Sequence, residues 1–302
     1  MNEREKAKTA GIGGKEIHFD CPMNQYTTFR VGGNVDALYF AQELNGLQRM
    51  VSYLGEEDIP YLVVGNGSNL LVRDRGFKGV VVMLRGKLAA IEKGEENDRT
   101  VLAGGGTSIG ELLNYCKSKG LEGLEFLAGI PGSVGGAIAM NASAWGKEIG
   151  GMVQEAQIVT PKEELAIWDH SQLNFFYRGL SIPKGSVIIR VRFELNRTNP
   201  EIVVHRMANY LARRKEKQPL EYPSGGSVFK NPPGEYAGRL IEKAGLKGER
   251  IGGAMISPKH ANFIVNTGGA RAEDILALMD LAREKVREKT GIELETEIRV
   301  VP

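Results

Sequence analysis

Cysteine is nearly absent from this chain of 302 residues: only Cys21 and Cys116 occur, far apart and with neither a C-x-x-C pair nor metal-ligand spacing. That excludes a disulfide scaffold and a structural zinc site, and leaves two buried or incidental thiols as the expectation. There is no apolar run of about 18 residues, the length a membrane-spanning helix needs. Met1 to Lys8 is charged and lacks the apolar stretch of a signal peptide, so a cytoplasmic protein without a membrane partner is expected. The formal net charge is only +2, which gives no basic face for a nucleic acid. The four histidines show no telling placement and G-x-S-x-G is missing, which argues against a nucleophilic Ser-His-Asp hydrolase. Neither nucleotide fingerprint is complete: Leu70 stands where G-x-G-x-x-G needs its third glycine, and there is no G-x-x-x-x-G-K-[ST] string. Repeats and low-complexity tracts are also lacking.

What is present is ordinary globular composition, 42% apolar and 25% charged, long enough for two or three structural units. Leu44, Leu47, Val51 and Leu54 predict a helix, followed by strands at Ile59 to Val64 and Val80 to Leu84. Val101 to Ala103 reads as a strand, and Ile109, Leu112, Leu113 and Cys116 share a helical face. From Phe126 to Gly146 small residues dominate, so the segment presents backbone rather than side chains. Strands are expected at Glu155 to Thr160, Glu164 to Trp168 and Val187 to Glu194. Asn199-Pro200 then caps a helix reaching about Lys217, the best domain boundary in the chain. A Pro/Gly-rich loop over 219–234 precedes a helix from Tyr236 to Ala244, an apolar run from Asn262 to Val265, and a helix after Arg271. In the last segment Ile292, Leu294, Thr296, Ile298 and Val300 alternate with charged residues as in a half-buried strand.

Three loops carry the chemistry. Gly65-Asn66-Gly67-Ser68-Asn69-Leu70 offers unobstructed backbone N–H groups, which suits either a diphosphate nest or a tight turn. Gly129-Ile130-Pro131-Gly132-Ser133-Val134-Gly135-Gly136, continuing to Asn141-Ala142, suits either a second phosphate-facing loop or close packing of elements. In Ser224-Gly225-Gly226-Ser227-Val228-Phe229-Lys230-Asn231-Pro232, prolines flank a glycine hinge and fix one hydroxyl, as a catalytic serine or as a turn serine. Charged residues have ordinary explanations beside a functional one: Arg214 in a dipole-complementing last helical turn or on a phosphate, Arg178 packed on Tyr177 or at a site, and Glu297 on a solvated strand face.

These segments, in this order, with Thr28-Phe29-Arg30-Val31-Gly32-Gly33, His260-Ala261-Asn262-Phe263-Ile264-Val265-Asn266 and Leu294-Glu295-Thr296-Glu297, resemble the UDP-N-acetylenolpyruvoylglucosamine reductase family along nearly the whole chain. The resemblance implies an α+β protein: a two-subdomain FAD-binding fold of the vanillyl-alcohol-oxidase type plus a C-terminal α+β substrate-binding domain. It divides the chain into subdomain 1 at 1–85, joined by the last strand at 292–302, subdomain 2 at 86–198, and the substrate domain at 199–291. It implies tightly bound FAD, with NADPH as hydride-donating cosubstrate. The reaction would reduce UDP-N-acetyl-3-O-(1-carboxyvinyl)-glucosamine to UDP-N-acetylmuramate in bacterial peptidoglycan precursor synthesis.

By motif position, Ser227 is the implied proton donor, with Arg178 and Glu297 assisting at the enolpyruvyl group. FAD contacts fall on Arg30, Gly65, Asn66, Gly67, Ser68, Asn69, Leu70, Gly129, Ile130, Gly132, Ser133, Gly136, Asn141 and Ala142. Tyr177, Arg214, Lys230 and Asn231 fall on the UDP-sugar, and a cytoplasmic monomer is expected. The chain departs from the family in two places: Ser143 and Trp145 stand where the family has Gly and Tyr, and Gly179-Leu180 intervene before Ser181 after the Tyr-Arg pair. The alternative is an FAD oxidase of the same fold acting on an alcohol or carbohydrate, which has no use for the Gly226 to Pro232 segment.

Overall fold

The computed structural model describes residues 1–94, 97–161 and 164–301, and its contacts gather the chain into two compact units. The first is made of Met1–Asp20, Asp36–Asn66 and Lys78–Ala212, the second of Cys21–Val35, Gly67–Phe77 and Arg213–Pro302.

Two sheets build the first unit. One has the order Ile17–Pro22, Asn34–Ala41, Phe77–Leu84, Tyr61–Val63, with the last two parallel. Helix Leu44–Glu56 covers it with Leu47, Val51 and Leu54, as their spacing predicts, joined by Met50, while Leu44 is only half-buried. The other, all antiparallel, runs Leu165–Asp169, Val153–Val159, Val187–Glu194, Thr100–Gly104, Ile91–Lys93. Helix Ile109–Lys119 is delimited by a Ser108/Glu111 capping box and by Gly120 in the left-handed conformation. It buries Cys116, where desolvation pushes the thiol up to about 12, so the group stays protonated and unreactive.

An N-terminal helix, Glu3–Gly13, was not anticipated from the charged residues there. Its signal is the capping box: Asn2 Oδ1 accepts from the Glu5 N–H at 2.9 Å while Glu5 Oε2 accepts from the Asn2 N–H at 2.8 Å. The segment after Phe126 is also more regular than expected. It forms the short helix Val134–Ala139, whose Val134, Ala137 and Ile138 are buried.

Helix Pro200–Lys217 begins where Asn199-Pro200 predicts, with Asn199 Oδ1 accepting from the Glu201 N–H at 2.9 Å. The division between units nevertheless falls inside this helix, at Ala212/Arg213, rather than at Asn199. The cause is packing: Met207, Tyr210 and Leu211 lie against the core of the first unit.

In the second unit a four-stranded antiparallel sheet, ordered Ser224–Ser227, Phe263–Asn266, Ala254–Ile256, Arg250–Ile251, packs with helices Ala237–Lys243 and Ala272–Thr290. Phe229, Leu240, Ile241, Ile275, Leu278, Met279 and Val286 form its core. Asp74 caps the long helix from outside it, accepting from the Ala272 N–H at 2.9 Å and the Glu273 N–H at 3.1 Å. The strand expected from Ile292 onward is a ladder only at Arg299–Val301, which pairs in parallel with Leu70–Val72. Residues 292–298 keep the alternating burial but bond to their neighbours singly, so the pattern is present without a continuous strand. Pro302 lies outside the described residues. No helix among the described residues is long and apolar enough to cross a membrane.

Candidate active site

Ser227 ends a strand that a bulge deforms. Ser224 pairs with Val265 and Ser227 with Phe263, so Gly225-Gly226 supply one residue more than their partner strand. Each glycine has its own reason. A Cβ at Gly225 would run into the ring of the fully buried Phe29, and Gly226 has φ +79°, in the left-handed region. A bulge re-aims the side chain that follows it. The Ser227 hydroxyl so placed makes no hydrogen bond among the described residues and is half-buried, and is therefore open to a ligand.

Asn262 holds the next residues rigid. Its Oδ1 accepts from the Phe229 N–H at 3.0 Å and its Nδ2 donates to the Phe229 carbonyl at 2.8 Å, while its own carbonyl accepts from the Val228 N–H at 2.9 Å. Asn262 is 4% exposed and Phe229 1%, so these groups have no solvent to fall back on. Asn262→Leu strands two backbone groups at about 1–3 kcal/mol each, and a loss near 3 kcal/mol is expected in urea titration. Loss below about 1 kcal/mol would mean that water replaces the amide.

The carboxy-terminal segment lies against the same stretch. The Glu297 N–H donates to the Val228 carbonyl at 2.8 Å, the Lys230 N–H to the Glu295 carbonyl at 2.8 Å, and Phe229 bridges Thr296. Asn69 Nδ2 fixes the Glu297 carbonyl from the other side at 3.0 Å. Two residues 70 positions apart in sequence, Ser227 and Glu297, are thereby held on adjoining backbone.

The residues expected at the UDP-sugar have internal partners. Lys230 Nζ is paired with the Glu295 carboxylate, and Asn231 Oδ1 accepts from the Ala237 N–H at 3.1 Å, at the start of a helix. Arg214 is buried and donates to Gln218 Oε1 at 3.1 Å; desolvation lowers its pKa from the usual guanidinium range. It is not the solvated last-turn charge that its sequence position suggests. Tyr177 is 45% exposed.

Tyr177 and Arg178 belong to the first unit. They form the two-residue turn of a hairpin, Phe175–Phe176 with Gly179–Leu180, which no period in the sequence announced. Arg178 has φ +62°, a conformation that costs a residue with a Cβ roughly 1–2 kcal/mol. Its guanidinium carbon lies 5.4 Å from the Tyr177 ring centroid, and its Nη1 donates to Ser143 Oγ at 2.5 Å.

The first unit also contains a cleft of about 360 Å³ lined by Asn66, Ser108, Ile109, Gly110, Leu113 and residues 129–132. A Cβ at Gly65 would fall on the Ser133 hydroxyl, so glycine is what lets the two loops approach. Among the described residues, the N–H groups of Gly65, Asn66, Gly132 and Ser133 have no hydrogen-bond acceptor, leaving donors for phosphate oxygens at a wall of small residues. This fits the FAD that the resemblance implies. Not every expected contact is equally available. Ser133 Oγ accepts from the Gly136 N–H at 3.2 Å, and Leu70 is a buried strand residue. The Asn141 side chain, 1% exposed, is fully used: Nδ2 donates to Glu148 Oε2 at 2.8 Å and the Phe176 carbonyl at 3.1 Å, and Oδ1 accepts from the Gly150 N–H at 3.1 Å. The side chain thereby ties two hairpins together. Gly67, Ser68 and Asn69, along with the exposed Arg30 at φ +56°, belong to the second unit. Among the described residues, no three His, Cys, Asp or Glu side chains gather as a metal site.

Comparison with known proteins matches residues 35–167 to the FAD binding domain and residues 218–301 to the C-terminal domain of UDP-N-acetylenolpyruvoylglucosamine reductase. The UDP-N-acetylenolpyruvoylglucosamine reductase of Clostridium kluyveri is 40% identical over 95% of this chain and 93% of its own length. Its counterpart in Caldanaerobacter subterraneus is 41% identical over 95% of this chain and 94% of that protein. The crystal structure of the Thermus caldophilus reductase superposes with a TM-score of 0.82 at 38% identity, covering 93% of this chain and 98% of the other.

Proposed function

Because the chain belongs to the UDP-N-acetylenolpyruvoylglucosamine reductase family, we propose that Ser227, Arg178 and Glu297 carry out its reaction. The protein is an FAD- and NADPH-dependent oxidoreductase that reduces UDP-N-acetyl-3-O-(1-carboxyvinyl)-glucosamine to UDP-N-acetylmuramate. When bound, FAD supplies the two-electron hydride chemistry between NADPH and the enolpyruvyl double bond. The rest is work for side chains. As hydride reaches the methylene carbon, the π pair moves to the neighbouring carbon and negative charge spreads to its carboxylate. Arg178 stabilises that charge, with a guanidinium fixed beforehand by Ser143 and Tyr177. Ser227 gives its hydroxyl proton to the neighbouring carbon, completing the saturated lactyl ether. A serine hydroxyl is a weak acid and needs close placement against a strongly basic centre. The observation that carries this role is a hydroxyl without a hydrogen bond among the described residues, set by a bulge on backbone that Asn262 and Glu297 clamp.

Backbone N–H groups of Gly65, Asn66, Gly132 and Ser133 would hold the FAD phosphates, and Tyr177, Arg214, Lys230 and Asn231 would serve the UDP-sugar. For Lys230 this requires exchange of Glu295 for a phosphate or sugar oxygen, since the two are paired. We assign the FAD to segments 1–85 and 86–198 and the sugar to 199–291, and place the enzyme as a monomer in the bacterial cytoplasm. The near-neutral charge balance supports small-molecule rather than nucleic-acid partners.

Purified protein should be yellow, bleach with NADPH without oxygen, and regain its colour on addition of the enolpyruvyl sugar. An FAD oxidase would instead bleach with an alcohol and recover with oxygen. Failure of the sugar to restore the colour would overturn the assignment.

A further inference from the structure

We infer that Ser143 is a positioning residue for Arg178, the element that fixes the guanidinium where the reaction needs it. The inference rests on the role given to Arg178 above and adds to it a residue of this chain that stands where the family has glycine. Ser143 and Arg178 lie on different hairpins. The first, Ser143–Ala144 with Lys147–Glu148, turns through Trp145 and Gly146, both with positive φ, +58° and +77°, as a type I′ turn requires. Trp145 occupies this conformation against its own preference and stacks on Tyr210, with centroids 6.0 Å apart and planes at 28°. The second is the Phe175–Leu180 hairpin with Arg178 at its turn.

Asn141 ties the hairpins together, through Glu148 on one and the Phe176 carbonyl on the other. With both frames fixed, Ser143 Oγ accepts from Arg178 Nη1 at 2.5 Å and the Ser143 carbonyl accepts from the same nitrogen at 3.4 Å. A glycine at 143 would keep only the longer of these contacts. Arginine loses much rotamer freedom when it is held still, and it already sits in a disfavoured backbone conformation. A short hydrogen bond from a charged donor is the kind of interaction strong enough to hold one end of the group. Pre-placing the guanidinium spares reorganisation as charge develops, so the benefit falls in the transition state rather than in substrate binding.

The test uses the FAD-bound protein, with each half-reaction followed separately by stopped flow. Ser143→Ala should leave bleaching by NADPH within about twofold and slow recovery by saturating enolpyruvyl sugar by about ten- to a hundredfold, the weight of a charge-assisted hydrogen bond. The sugar concentration for half-maximal rate should move by less than about threefold. Ser143→Thr, which keeps the hydroxyl on a strand position, should restore most of the rate. In an Arg178→Ala background Ser143→Ala should have no further effect. Crystal structures supply a readout apart from activity: the Arg178 guanidinium should leave its place in Ser143→Ala and keep it in Ser143→Thr. Additive effects in the double variant, or an unmoved guanidinium in Ser143→Ala, would overturn the inference while leaving Arg178's role intact. Arg178→Ala with an undiminished recovery rate would overturn the role itself, and the positioning claim with it.

Discussion

Ser227→Ala is expected to slow recovery of the oxidised flavin by the enolpyruvyl sugar by about a hundred- to ten-thousandfold, the range over which a positioned proton donor acts, while bleaching by NADPH stays nearly unchanged. The asymmetry follows from where the hydroxyl acts. Reduction by NADPH needs no proton at the sugar's carbon, whereas saturation of the double bond needs one proton and one hydride. Little stability should be lost, because the hydroxyl makes no hydrogen bond among the described residues and its removal leaves no protein group unpaired. Ser227→Cys offers a stronger acid at nearly the same position and should recover part of the rate. Equal damage to both half-reactions would make Ser227 a structural residue.

Much of the fold is legible in periodicity because burial enforces it. Helix Leu44–Glu56 buries one repeating face and strand Val187–Glu194 is buried on both faces at its start and alternates after it, and their limits are close to those expected. Glycine turns, by contrast, show that something is close without showing what it is. Gly225 reads as a hinge; the structure shows it yielding room to the ring of Phe29, some 200 residues away in sequence. The bulge, the Asn262 clamp and the tie made by Asn141 are all long-range partnerships of polar groups, and a one-dimensional pattern has no term for them. Arg178 is a further case. Two short strands flanking a Tyr-Arg turn have no helical or alternating period, so only the family resemblance singled it out. Asn141 is another: the motif points to a cofactor contact, and the three side-chain hydrogen bonds that tie it to Glu148, Phe176 and Gly150 are visible only in the structure.

The interior division of helix Pro200–Lys217 has the same origin. Its capping signal, Asn199-Pro200, reports where a helix starts and carries no information on which core receives its apolar face. Met207, Tyr210 and Leu211 decide that by packing against the core of the first unit, with Tyr210 stacked on Trp145. A boundary read from local chemistry was therefore displaced by 13 residues through a tertiary contact.

Gly67→Ala is expected to yield colourless protein, destabilised by roughly 3 kcal/mol: about 1 kcal/mol for a Cβ at left-handed φ and about 2 kcal/mol for a forced shift of packed backbone. Gly67 has φ +60°, and a Cβ there would fall on the Tyr26 carbonyl oxygen and within 3.0 Å of the Tyr26 carbonyl carbon. That oxygen cannot turn aside as a side chain does. The Tyr26 N–H is committed to the Met23 carbonyl at 2.9 Å, and the Thr28 N–H to the Gly67 carbonyl at 3.2 Å, so relief must displace the loop whose N–H groups would face the FAD phosphates. Gly234→Ala separates the two contributions. Gly234 has φ +76°, and a Cβ there would meet nothing within 4 Å, so that variant should lose only about 1 kcal/mol in urea titration and remain yellow. If Gly67→Ala loses stability but keeps its flavin, the loop is a packing element and the phosphates are held elsewhere; if the two variants match in both stability and colour, backbone conformation alone accounts for the glycine.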